Sequence, residues 1–450
     1  MNINKDLIEE INKLKINLNR SFEILRNDDL HKLQIHSIEI INYILKNVKI
    51  FYISKKDIPN FTIKNLRKYL LLDSEIEVND LEIREFIDNL KKNKLTDNEI
   101  ENFINNKNNE LQHLFTKLLN NNKNSEVNRI VNNYSYDIIS KFLSVSCESA
   151  IIKNLKYNFI FKVKLDKIEL TFNLFNENSN INNINLAVLI IKALYPAVLY
   201  NIKNANIKLN YYFTEMKKEM PKNTNFLGPN EINSGLTSFS FGRNNEITIF
   251  RKEEYEKLTL HEMIHALEID ESVINIDNLI ENRLKCNFNI SNDNKINFGE
   301  CFTESIALIS NVIIDSLLTD YNLNHLIKQE LKFTILQCSK ILKFYKLDYE
   351  NFLCNNCCFI SNKNWIEKTS VTAYYFCKLG IIWDYNTFIK EFMFVKNIDV
   401  NILYNFILNN LLNIDFLKEY KITDKLKKNL RMTINEFDWS ILIKDSLNIN

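Results

Sequence analysis

Glycine and proline are almost missing from this chain, with 5 and 4 residues in 450. So few turn-formers argue for long helices and few tight turns. Net charge is only +1, which gives no electrostatic reason to expect a nucleic-acid or anionic-membrane partner. The N-terminal residues, Met1 to Glu10, are charged and amphipathic and contain no apolar core of a secretory signal. The longest apolar stretch, Ile184 to Tyr200, is interrupted by Asn185, Lys192 and Pro196, so a buried helix is expected there instead of a membrane span. These absences point to an intracellular protein, with its 8 cysteines as reduced thiols. The run Cys354-x-x-Cys357-Cys358 lacks the second half of a zinc knuckle. The abundance of Asn, Ile and Lys reads as codon bias.

What is present is globular: 46% hydrophobic and 25% charged residues, enough for a sizeable core in two or three domains. Residues 1–150 read as successive amphipathic helices, with apolar repeats at Leu7 to Leu18 and Ile38 to Leu45 and a capping box at Thr96 to Glu99, and form a helical accessory domain. From about 155 the period changes to two. Tyr157 to Leu165 and Ile168 to Phe175 alternate around Asp166-Lys167, a β-hairpin pattern. Asn183 to Tyr200 is a long apolar helix. Ile207 to Thr214, Ser234 to Phe241 and Glu246 to Arg251 are further strands. The region beyond about 320 reads as helical throughout. The fold class expected is α+β and predominantly helical, with a small twisted mixed sheet at residues 151–270 and a helical lower part at residues 271–450.

The last of those strands leads into His261-Glu262-Met263-Ile264-His265, and 2 of the chain's 6 histidines fall in this box. On a helix, positions i and i+4 share a face, so both imidazoles aim at one point, as a zinc ion requires. Glu262, beside the first histidine, is placed to act as general base. The plain alternative is a solvated helix with two surface histidines. Two histidines leave zinc short of a ligand, and no further histidine follows at short spacing; His325 is isolated. Glu300 and Glu304 lie one turn apart, so both fall on one face of a following helix. Glu300 is the expected third ligand and Glu304 the acceptor for the outer ring nitrogen of a histidine ligand, with Glu304 as the alternative ligand. An acidic helix start favoured by the helix dipole is the competing account of this pair.

The box together with the Gly299-Glu300-Cys301-Phe302-Thr303-Glu304 run resembles the gluzincins, thermolysin-like zinc peptidases, whose second motif has the form N-E-x-x-S-D. Both acids and the hydroxyl match by position, while Gly299 stands where that family has Asn, and Glu300 follows His265 by 35 positions (300 − 265). A resemblance over about residues 205–385 is to an uncharacterised metalloprotease family of large DNA viruses infecting insects and amoebae. It is carried by Tyr211 to Pro221, Asn233 to Thr237, Ile249 to Glu254, the histidine box, Glu300 to Glu304 and Thr369 to Lys378. The resemblance implies a zincin-like core, one zinc per chain and hydrolysis of a peptide or protein substrate. It also implies an oxyanion donor from the lower part of the molecule, for which Tyr374 and Tyr375 are the candidates. Strand 234–241 is expected to be the sheet edge that pairs with substrate, with Asn233, Ser234 and Gly235 at the point of close approach. The competing classes are a catalytically silent virion or structural protein and a zinc hydrolase of a non-peptide substrate. Oligomeric state is not legible in the sequence.

Overall fold

The computed structural model describes residues 28–57, 157–177, 183–222, 224–238, 245–274, 278–291, 294, 296–319, 321–353, 365–414 and 428–434. The chain divides into two compact units, Met1–Asp57 with Lys153–Asn450, and Ile58–Ile152. The second unit lies outside the described residues, as do the Leu7–Leu18 repeat and the capping box at Thr96.

The first helix, α1 (Asp29–Asn47), is capped by Asp28, whose side chain accepts from the His31 amide. It buries Leu30, Leu33, Ile38, Ile41 and Ile44, the 3.6-residue stripe legible in the sequence. Strand β1 (Lys49–Asp57) follows directly. This corrects the expectation of an all-helical region to residue 150. The run Lys49-Ile-Phe-Tyr-Ile carries aromatic and β-branched residues and pairs antiparallel with β2 (Tyr157–Leu165). Residues 29–57 therefore belong to the main unit, and the boundary expected at 150 falls instead at the two ends of Ile58–Ile152.

β2 and β3 (Ile168–Asn176) form the expected hairpin around Asp166, which adopts φ 53° in the turn. Alternate residues of both strands, Phe159, Phe161, Val163, Ile168, Leu170 and Phe172, are buried, which gives the sheet one core face. The apolar helix α2 (Asn183–Leu199) crosses to β4 (Ala205–Tyr212), parallel to β3. β5 (Gly235–Ser238) and β6 (Glu246–Ile249) complete a six-stranded mixed sheet in the order β1-β2-β3-β4-β6-β5. β5 is thus an edge strand, antiparallel to β6. It includes the start of the expected strand 234–241; residues beyond 238 there lie outside the described ones.

The helices α3 (Tyr255–Ala266), α4 (Asn278–Asn287), α5 (Gly299–Leu318) and α6 (Leu323–Phe344) come next. α3 packs against β5, β6, α2 and α5, which places it at the centre of the unit. A buried cluster ties three of these elements together. Lys192 of α2 reaches Glu256 of α3 at 2.6 Å, and Asp315 and Asn311 of α5 at 2.7 and 2.9 Å. α5 is long and apolar enough to cross a membrane by length and composition, but it is wholly buried in the core.

Beyond α6 come a π-helical turn at Thr372–Cys377 and the helices α7 (Lys378–Trp383), α8 (Tyr385–Glu391) and α9 (Val400–Leu412). Gly380 marks the crossing of α7 and α9: a Cβ there would stand 2.7 Å from the Ile407 carbonyl oxygen. Backbone cannot step aside cheaply, so Gly380→Ala is expected to destabilise the unit by about 1–3 kcal/mol, read as a lower midpoint in urea with an unchanged slope.

The expectation of helix throughout the C-terminal region also needs correction. Residues 429–434 are irregular and not helical, with Asn429 bridging Glu219. Their main chain is held by buried side chains. Glu254 accepts from the Met432 and Thr433 amides at 2.6 and 2.7 Å, Glu330 accepts from Ile434 at 3.1 Å, and Lys378 donates to the Met432 carbonyl at 2.9 Å. A buried irregular segment needs partners for its amides and carbonyls, and these charged groups supply them.

Candidate metal centre

His261, Glu262 and His265 lie on α3, and every residue from Lys257 to Ala266 is buried. His261 is 3% and His265 9% exposed, which eliminates a solvated helix with surface histidines. The i, i+4 spacing brings the two Nε2 atoms to 3.1 Å, with the rings nearly perpendicular at 81°. α5 packs against α3, and Glu300 in its first turn places Oε2 3.3 Å from each Nε2. A tetrahedral ion with ligands at about 2.0–2.1 Å has ligand-to-ligand edges of about 3.3 Å, so a triangle of 3.1, 3.3 and 3.3 Å is one face of such a tetrahedron. These three residues are the group of metal-ligating type found among the described residues.

The outer nitrogens of both rings face carboxylates. His265 Nδ1 meets Asp270 Oδ2 at 2.6 Å, and Asp270 is itself held by the Thr303 hydroxyl at 2.5 Å. His261 Nδ1 stands 3.0 Å from Glu304 Oε2, off the line of its N–H. With Nδ1 carrying the proton, each neutral ring turns a bare lone pair inward. Two lone pairs and a carboxylate oxygen then face one point with no donor among them, an arrangement that calls for a cation. In the metal-free chain protons fill that role. Burial alone would lower both histidines, but Glu300 and Glu304 outweigh it at His261, and Glu300 and Asp270 do so at His265. Both are held above their ordinary value, His265 well above. Conversely, burial would raise Glu300, yet His265 and His261 hold it below the usual carboxylate range.

Glu304 occupies the outer position expected of it. Its Oε1 lies 2.5 Å from Lys257 Nζ and 3.6 Å from Lys378 Nζ. Clamped by two buried lysines and facing the outer nitrogen of His261, it is turned away from the Nε2 atoms, so Glu300 and not Glu304 completes the triangle. Asn297 donates to Glu300 Oε1 at 3.1 Å, leaving Oε2 to face the histidines.

Glu262 points to the edge strand. Thr237 donates to its Oε2 at 2.7 Å, and a Cβ on Gly235 would come within 3.1 Å of Oε1. Burial raises the Glu262 carboxyl above its ordinary value, partly offset by the two histidines and Thr237. Tyr374 packs its ring edge-on to His261 at 6.0 Å, and burial and then Glu300 push its hydroxyl well above the ordinary phenol value, so it stays a donor.

Three expected site residues fall elsewhere. Tyr375 is fully buried and donates to the Leu430 carbonyl at 2.5 Å, so it anchors the C-terminal segment and does not face the centre. The Asn233 side chain accepts from Thr369 at 2.8 Å, and Ser234 is buried with its carbonyl bonded to the Phe250 amide. Of residues 233–235 only Gly235 abuts Glu262. Asn233 and Ser234 precede β5, which begins at Gly235, and Asn233 closes the short helix Pro229–Ile232.

Two residues escaped the sequence reading. Asp270 lies five positions past His265, beyond the helix end, and a left-handed Glu268 at φ 58° turns the chain back beneath the ring. A helical periodicity carries no sign of such a return. Glu367 is pushed up to about 7 by burial and accepts from the Thr372 amide and hydroxyl at 2.9 and 2.5 Å, which anchors the π-turn that presents Tyr374. If the centre holds one zinc, Asp270→Asn is expected to weaken its binding roughly 10–100-fold without changing the stoichiometry, as measured by competition with a chromophoric chelator.

Among the described residues the other histidines take no part. His31 is buried beside Asp28, His36 and His325 are exposed, and His113 lies outside the described residues. Cys301, Cys338 and Cys377 are buried free thiols, as expected, but Cys286 is disulfide-bonded, against the expectation of reduced thiols throughout. Cys147 and the Cys354–Cys358 run lie outside the described residues.

No known protein family matches the sequence, and no solved structure matches the chain. Over 250 residues the chain is 24% identical to an uncharacterized protein of Acanthamoeba polyphaga mimivirus. The match covers 52% of this chain and 60% of that protein, so the chain spans less than two thirds of its relative's length.

Proposed function

We propose that this chain is a zinc-dependent metallopeptidase with a zincin-like core, of the gluzincin type and related to the metalloproteases of large DNA viruses. The observation that carries the reading is the triangle of His261 Nε2, His265 Nε2 and Glu300 Oε2 with sides of 3.1 and 3.3 Å, with the outer nitrogens of both rings turned to carboxylates. The edge strand beside the base and the mixed sheet above α3 support it.

His261, His265 and Glu300 would hold one zinc per chain. When bound, the ion supplies Lewis acidity, making water nucleophilic near neutral pH and polarising a carbonyl. Glu262 accepts the proton of the attacking water and returns it to the leaving amine nitrogen. Its buried setting suits this, since a carboxylate held above its ordinary value is a better base than a solvated one. The Tyr374 hydroxyl donates to the oxygen of the tetrahedral carbon. Asp270 holds the His265 ring in the tautomer that leaves Nε2 free, and the Glu304 carboxylate beside His261 Nδ1 favours the same tautomer there through its charge. An extended peptide pairs with the outer edge of β5 through its main chain.

Purified full-length chain is expected to carry one zinc and to hydrolyse dye-labelled casein, with activity lost on chelation and restored by zinc. Zinc-loaded protein that leaves casein and a broad peptide library intact would overturn the peptidase reading and leave a metal-binding protein without turnover.

A further inference from the structure

β5 turns two residues toward α3, Gly235 and Thr237, two apart and so on one face of the strand. Each meets one oxygen of the Glu262 carboxylate. Thr237 Oγ1 lies 2.7 Å from Oε2 and 3.1 Å from the Glu262 carbonyl oxygen. Both of these are acceptors, and a hydroxyl has one proton. The proton goes to the nearer, charged oxygen, where the bond is stronger. At Oε1 the strand makes room instead of a bond. A Cβ at 235 would sit 3.1 Å from that oxygen and equally close to Leu258 Cδ2 and the Thr248 carbonyl. Glycine is needed there for close approach, not for backbone freedom. Glu262 is 4% exposed, so a carboxylate this enclosed takes its orientation from its neighbours.

We infer that Thr237 is the positioning residue for Glu262, its hydroxyl fixing the carboxylate from the strand to which an extended substrate would pair. The kinetic consequence rests on the peptidase reading above; the structural one does not. Strand propensity does not account for the hydroxyl. Valine has the same shape and favours a strand as strongly as threonine, and it could not bond to Glu262. The arrangement also couples two events. Pairing of a peptide along β5 acts on the strand that carries the Thr237 hydroxyl, so docking and orientation of the base share one residue.

The test compares Thr237→Val and Thr237→Ser in the full-length, zinc-loaded chain. Zinc content, kcat and KM on dye-labelled casein, and crystal structures are measured for both. Thr237→Val is expected to keep one zinc and a KM within about twofold, to lose roughly 10- to 100-fold in kcat, and to show the Glu262 carboxylate turned from its wild-type position. Thr237→Ser, which keeps the hydroxyl, is expected to restore kcat to within about threefold and the carboxylate to its place. Thr237→Val with wild-type kcat, or Thr237→Ser as slow as Thr237→Val, would overturn the assignment. If the wild type hydrolyses nothing, the peptidase reading fails by itself. The crystal structures still decide this inference, because an unmoved Glu262 in Thr237→Val contradicts it.

Discussion

Glu262→Gln is expected to abolish hydrolysis while leaving zinc in place, with kcat falling by about 10²–10⁴-fold, the usual contribution of a positioned general base. The separation of the two readouts comes from the geometry. Glu262 is not a member of the His261–His265–Glu300 triangle, so its amide analogue removes the proton acceptor and leaves the three ligand atoms untouched. Glutamine is nearly isosteric, and its amide oxygen can still accept from the Thr237 hydroxyl at the 2.7 Å position, so the strand and helix stay in register. Zinc content by mass spectrometry and casein hydrolysis are the two measurements. Loss of zinc together with activity would mean that Glu262 serves the metal and not the proton transfer.

The second large effect is expected at Glu300. Glu300→Ala removes one of three ligand atoms and also the carboxylate that raises both histidines. If a zinc site of this kind is worth about 10–16 kcal/mol, losing one ligand removes roughly 3 kcal/mol, more than a hundredfold in affinity. The same residue governs the pH dependence of the metal-free protein. His261 and His265 have folded-state values above that of an unfolded histidine, so their stabilising contribution is complete below about pH 6.5 and is lost as pH rises through the raised values. Glu300 and Glu304 are held below the ordinary carboxylate value, so their contribution is present above about pH 4.5 and is lost on acidification. Without metal, the urea midpoint is therefore expected to be highest between these limits and to fall from pH 6.5 upward. On the proposed reading, zinc would replace the protons between the rings and remove that upper decline. In Glu300→Ala the decline above pH 6.5 should shrink even without metal. A metal-free urea midpoint that climbs steadily from pH 6.5 to 8 would contradict the protonated-histidine account.

The local parts of this architecture were legible because they depend on short-range periodicity. The alternation of Tyr157 to Leu165 and Ile168 to Phe175 defines a hairpin wherever one face is buried, and the apolar run from Ile184 can only be a buried helix. The i, i+4 spacing of His261 and His265, and of Glu300 and Glu304, fixes which side chains share a face on each helix. β1 was hidden because the four apolar residues Ile50 to Ile53 after a helix read as helix or strand equally well; only its partner β2, about a hundred positions later, decides between them.

At the centre the division is sharper. Composition and spacing determined that two imidazoles and a neighbouring carboxylate would share a turn of helix, and that a pair of acids stood ready one turn apart. Only the tertiary structure decided which acid faces which nitrogen. That choice depends on the packing of α3 against α5 and on two buried lysines, from positions 257 and 378, that draw Glu304 outward. Only the tertiary structure brought Asp270 under His265, separated the adjacent Tyr374 and Tyr375 into a group facing the centre and an anchor for the C-terminal segment, and set Thr237 against Glu262. The physical reason is the same in each case. A sequence fixes directions within one element through its helical or strand period, whereas contacts between elements depend on how their faces are brought together in the core.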